Sequence, residues 1–120
     1  MQRDIDLMRK ILLAIEDSEE YMSFNTLDEL AQKIDEDNDE YFRYQLRLML
    51  DEKLFWITDI VLGKGYSDFG IYQLTSKGCA VLDGIRTDEL CNALKKAAGK
   101  AGVQVTVGLI LKFLGAKLGL

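Results

Sequence analysis

The sequence predicts an α+β winged helix-turn-helix, meaning three helices plus a β-hairpin wing, with a C-terminal helical extension. Three observations carry this. Two helical patterns follow one another from Asn25 onward, and the second is followed by two apolar-rich runs split by Gly63-Lys64-Gly65. Leu74-Thr75-Ser76-Lys77-Gly78 then opens another helix, completing the order helix, helix, strand, turn, strand, helix up to Arg86.

Each element has a local reason. Ile5, Met8, Leu12 and Ile15 recur at helical spacing, widened by Leu7 and Ile11, and predict a first helix over 4–16. The acidic run Glu16-Asp17-Ser18-Glu19-Glu20 ends it. Thr26-Leu27-Asp28-Glu29 reads as a capping box for a short second helix that buries Leu27, Leu30, Ala31 and Ile34. A third helix is expected from Asp37 or Asn38 to Lys53, with Phe42, Leu46, Met49 and Leu50 on its core face. Strands are expected over 55–61 and 69–74, and a fourth helix over 76–86 on which Cys79 packs as a small hydrophobe. Thr87, Asp88 and Glu89 cap a fifth helix to about Ala98, with a break bracketed by Gly99 and Gly102. Val103, Val105 and Val107 alternate like a strand, but the density of apolar residues beyond them favours a helix from about Thr106.

With 120 residues, no proline and no low-complexity linker, the chain reads as a single winged-helix-like domain, 1–120, of which 87–120 is the helical extension. It contains no histidine, which removes Ser-His-Asp and Cys-His catalysis, HExxH zinc sites and histidine switches. Two cysteines are too few for a zinc cluster or a disulfide framework. The expectation is therefore a non-enzyme without cofactor or metal. Residues 1–10 read as amphipathic helix rather than secretory leader, so a cytoplasmic setting with free thiols is expected.

The net charge is −5, unevenly spread. Residues 91–120 hold five lysines and no acid, so the first ninety residues, with ten basic and twenty acidic side chains, stand at −10. An acidic body with a basic end suggests docking of one on the other, or a separate partner for the end. A body that binds DNA usually carries the opposite sign.

Three blocks resemble a known family. They are Arg3-Asp4-Ile5-Asp6-Leu7-Met8-Arg9-Lys10-Ile11-Leu12, then Leu74-Thr75-x-x-Gly78-x-x-x-Leu82-Asp83-x-Ile85-Arg86, then Leu118-Gly119-Leu120. Together they resemble domain-of-unknown-function family 2513, DUF2513, small proteins of phages and prophages. The resemblance spans essentially the whole chain. It implies a winged-helix-like fold and a mobile-element origin, and no established activity.

Several constellations bear on function. Asp35, Asp37 and Asp39 have calcium-loop spacing, but Glu40 stands where the sharp turn needs glycine and Leu46 where a bidentate glutamate belongs. Arg43, Tyr44 and Arg47 on the third helix, with Lys64 and Tyr66 on the wing, are the candidate DNA contacts. Glu40 and Asp51 are spaced to neutralise the two arginines, and residues 37–53 hold five acids against three bases. That sign is wrong for counterion release, so DNA binding is possible but disfavoured. A wing that grips a minor groove also brings more positive charge than Lys64. Asp83 with Arg86, and Arg3 with Asp6, read as ion pairs.

Tyr41, Tyr44 and Leu48 form a second apolar stripe, either a partner surface or a face covered by a terminal helix. Leu109, Ile110, Phe113 and Leu114 must also be hidden, in the chain's own core first, then in a second subunit, then at a membrane surface. The segment 103–120 is too short and too charged to span a membrane. The functional expectation is a regulatory or protein-interaction module, with a protein partner and a homodimer as its assembly. Sequence-specific DNA binding through helix 38–53 is the alternative.

Overall fold

A computed structural model describes residues 2–63, 65–117 and 119, with the backbone alone for Lys117. Among these residues the chain is α+β, with six helices and two small antiparallel sheets. The order is α1 (Ile5–Asp17), α2 (Leu27–Lys33), α3 (Glu40–Asp51), β1 (Phe55–Ile57), β2 (Val61–Gly63), β3 (Tyr66–Asp68), β4 (Ile71–Leu74), α4 (Ser76–Ile85), α5 (Asp88–Ala101) and α6 (Val107–Lys117).

Side-chain caps set the helix starts. Asp4, Thr26, Asp39, Thr75 and Thr87 each accept a hydrogen bond from a first-turn amide of α1 to α5 in turn. Asp39 is thus the cap of α3, and the helix begins two or three residues later than its acidic lead-in suggests. The capping box of α2 is present in altered form. Thr26 Oγ1 accepts from the Glu29 N–H at 3.2 Å, while Glu29 reaches past Thr26 to accept from the Asn25 N–H at 2.8 Å. The Leu27 amide is taken by Asp68 Oδ1 at 3.0 Å, which ties α2 to the hairpin.

The hairpin is one ribbon paired in two stretches. β1 pairs with β4 through Phe55↔Leu74 and Ile57↔Ile71 with a bulge between them, and Phe24 bridges Ile71 from the other side. Thr58 continues the ladder by donating its N–H to the Gly70 carbonyl and accepting the Gly70 N–H on Oγ1. β2 and β3 then pair through Val61↔Asp68, Leu62↔Ser67 and Gly63↔Tyr66. The first expected strand, 55–61, is therefore interrupted at 58–60, the second, 69–74, begins only at Ile71, and Tyr66–Asp68 forms an unexpected strand opposite Val61–Gly63.

One cluster of apolar side chains joins the six helices with β1 and β4, and leaves β2 and β3 outside it. Met8, Ile11, Leu12 and Ile15 of α1 meet Leu27 and Leu30 of α2 and Phe42, Leu46 and Met49 of α3. Leu82 and Ile85 of α4, Leu94 of α5, and Val107 and Ile110 of α6 complete it. Ile34 and Leu50 sit at its margin, partly buried. Gln45 is buried in α3 where the apolar pattern passes over it. Its amide accepts from the Asp4 N–H and donates to the Gln2 carbonyl, both at 2.8 Å, holding the N-terminal segment as a paired strand would.

Three expectations are corrected. Cys79 is exposed, on the side of α4 away from the core. α5 runs through Gly99, an open position where a glycine costs only about 1 kcal/mol, and ends at Gly102, whose φ of 68° is left-handed. The last helix, by contrast, starts where expected: α6 begins at Val107, and Thr106 Oγ1 accepts the Leu109 N–H at 3.1 Å. Asp6 pairs with Lys95 at 2.7 Å rather than with Arg3. Asp83 and Arg86 do pair, at 2.9 Å, and Arg86 also forks onto Glu16 at 2.7 and 2.8 Å.

Candidate functional site

Two surfaces hold the residues singled out from sequence. The first is the junction of α3 with the hairpin. Arg43 projects from the first turns of α3, where its Nη1 donates to the Asn38 carbonyl at 2.7 Å and to Asn38 Oδ1 at 3.2 Å. Its guanidinium carbon lies 4.3 Å from the centre of the Tyr66 ring. Asn38 Nδ2 donates to Tyr66 Oη at 3.0 Å and to Asp28 Oδ1 at 2.6 Å. The network joins α2, the α2–α3 turn, α3 and β3, so Arg43 acts first as a brace between helix and hairpin.

The expected partner of Arg43, Glu40, is not among its described ion pairs. Arg47 does pair with Asp51, at 3.5 Å and with both side chains about two-thirds exposed, so screening leaves that contact weak. Arg43, Arg47 and Tyr66 line one shallow depression of about 160 Å³ with Leu27, Ser67 and Phe69. Tyr44 is exposed but is not part of its lining, and Lys64 lies outside the described residues.

The apolar stripe on α3 is not covered by another helix. Tyr41 and Tyr44 keep 40% and 39% of their surface, and Leu48 is half-buried. Tyr41 is nonetheless fixed, because its hydroxyl donates to Asp4 Oδ2 at 2.6 Å. That bond to a carboxylate, with desolvation behind it, raises the phenol to about 12. The C-terminal set separates. Ile110 is fully buried in the chain's own core and presents nothing to a partner, while Leu109, Phe113 and Leu114 are partly buried.

The second surface was not singled out from sequence. Trp56 on β1, Ile60 in the interruption, and Val61 and Leu62 on β2 remain 58%, 48%, 60% and 82% exposed. A two-stranded ribbon has a face in water, and a strand suited to that position alternates apolar with polar residues. Ile60-Val61-Leu62 does not alternate, and that was the available signal.

No helix among the described residues is long and apolar enough to cross a membrane. No curated protein and no solved structure gives a significant match. The family model described as a hypothetical protein, DUF2513, matches residues 2–104. It takes in the first two of the three blocks and every element through α5, and stops before α6 and the closing Leu118-Gly119-Leu120. The chain therefore belongs to the DUF2513 family.

Proposed function

We propose that this protein is a non-enzymatic interaction or regulatory module of mobile-element type, a winged-helix-like domain whose hairpin docks on a protein partner. The observation that carries this reading is the uncovered apolar run of the hairpin, Trp56 with Ile60, Val61 and Leu62. Water-exposed apolar clusters of this kind mark contact surfaces, and burying a Leu or Val side chain contributes about 1.5–3 kcal/mol. β2 also has one unpaired edge among the described residues, and residues 60–62 contain no charge or proline to deter a pairing strand. The partner is a protein from the same cytoplasm or a second copy of this chain. A reducing setting fits two free cysteines, one of them exposed.

The succession of α2, α3 and a hairpin supports the winged-helix arrangement, and α5 and α6 stand as its extension. A photoreactive residue in place of Leu62, in the full chain, tests the docking. Protein adducts are expected at position 62 and not at the exposed control Asn92. Nucleic-acid adducts at 62, or adducts no stronger than the control, would overturn the reading.

The second reading is DNA binding by α3, favoured by the gathering of Arg43, Arg47 and Tyr66 in one depression. It ranks lower because Arg43 is spent on the brace and Arg47 is paired with an acid. The surrounding sequence is acidic as well.

A further inference from the structure

β2 is the outer strand of the hairpin tip. Its partner β3 is held inward, because Asp68 accepts the Leu27 amide of α2 and the Tyr66 hydroxyl accepts from Asn38 at 3.0 Å. Successive strand residues point to opposite faces, yet Val61 and Leu62 are 60% and 82% exposed, so both faces of β2 lie in water. Its outer edge is open as well. Gly63↔Tyr66 closes the hairpin across two intervening residues, so that pair exchanges both of its backbone hydrogen bonds. Pairs alternate along the ladder, which makes Leu62↔Ser67 the non-bonded pair and turns the Leu62 N–H and carbonyl outward. Ile60 has the same parity, and no described hydrogen bond occupies its backbone.

The charge of the tip narrows the choice of occupant. Between residues 54 and 67 the charged side chains are Asp59 and Lys64, one at each end of Ile60-Val61-Leu62-Gly63. This stretch is neutral within an acidic body, so a charged strand finds no counterpart along it. A second copy run antiparallel brings the Asp59 end of each strand to the Lys64 end of the other. Between those ends it lays apolar residues against apolar residues.

We propose that two copies of this chain join by their β2 edges, making one antiparallel four-stranded sheet in the order β3-β2-β2-β3. This rests on the reading that the hairpin docks on a protein, and it names that protein. The outward backbone groups fix the register. Ile60 of each copy bonds with Leu62 of the other, so the two-fold axis passes between the two Val61 residues. Val61 then meets its own counterpart on one face of the sheet, while Ile60 and Leu62 of both copies cluster on the other. The pairing uses both open β2 edges and closes the assembly at two.

Light scattering and cysteine cross-linking of the full chain test this. The mass should rise from 13.6 kDa toward twice that value as concentration approaches about 10⁻⁴ M, as suits a small interface. Val61→Asp sets like charges on the axis and should weaken dimerisation about tenfold or more, as should Val61→Lys. Mixing the two variants should restore the dimer as a heterodimer. In a Cys79→Ser background, air oxidation should join Val61→Cys copies by a 61–61 disulfide, because such a pair stands about 4.5 Å apart at Cα. Asn92→Cys, exposed on α5, should stay unlinked at the same protein concentration. The disulfide decides the matter should a charge variant fail to fold. A chain that is monomeric at every concentration would overturn the proposal; protein adducts at position 62 would then leave the docking reading standing with another partner. A dimer that withstands both Val61 charges, or that gives no 61–61 disulfide, would overturn it too.

Discussion

At Gly78 there is no room for a side chain: a Cβ would stand 1.9 Å from the Leu54 carbonyl oxygen. The same joint is closed by Thr75, whose N–H donates to that carbonyl at 3.0 Å. Thr75 Oγ1 donates to the Lys53 carbonyl at 2.6 Å and accepts the Gly78 N–H at 3.0 Å. The block Thr75-x-x-Gly78 thus welds the start of α4 to the turn that leaves α3. Gly78→Ala should lower stability by about 3 kcal/mol, read as a fall in denaturant midpoint with an unchanged slope. The cap was legible in the sequence, because threonine before a helix has a local meaning. The need for glycine was not, since the atom it avoids belongs to a residue far back in the chain. Tyr41 offers a second test at this scale. With its phenol raised from 10.0 to about 12 by Asp4, the stabilisation from that bond is full below pH 10. It is lost as pH rises through about 12. Absorbance titration should show one late tyrosine, and Asp4→Asn should return it to the ordinary range.

Among the elements, α6 is the one whose placement the sequence left open. Its apolar residues cover most of the helix, so periodicity names no single face. The structure settles this at Gly84 of α4, where a Cβ would come within 2.8 Å of Ile110 Cγ2. That small residue lets the two helices approach, and Val107 and Ile110 are buried in the chain's own core. Deleting residues 103–120 should therefore lower stability by about 3 kcal/mol or more, seen as a drop in thermal midpoint. Unchanged melting would contradict the packing. The hairpin was legible as two strands around a glycine turn, but its interruption at Thr58 depends on a side chain replacing a ladder bond, which no strand propensity encodes. The exposure of Ile60-Val61-Leu62 was readable from their failure to alternate, once two strands rather than three are known to form the ribbon.

For the whole molecule, charge is the property on which the two proposed readings differ most. The basic end meets the acidic body at Lys95 and Asp6, while Lys96, Lys100 and Lys112 remain exposed. The opposite signs were plain in the sequence; which lysine docks was not, because the choice rests on how α5 crosses α1. Of the candidate DNA contacts, Arg43 and Tyr66 are committed to each other and Arg47 faces Asp51. What remains on α3 for a phosphate backbone is small against ninety residues at −10. The direct measurement is duplex DNA binding by fluorescence anisotropy across a salt series, with the Arg43→Ala and Arg47→Ala variants beside the wild-type chain. The account predicts a Kd no tighter than about 10⁻⁵ M at physiological salt, without sequence preference and little changed in either variant. Sub-micromolar, sequence-selective binding that either substitution abolishes would contradict it.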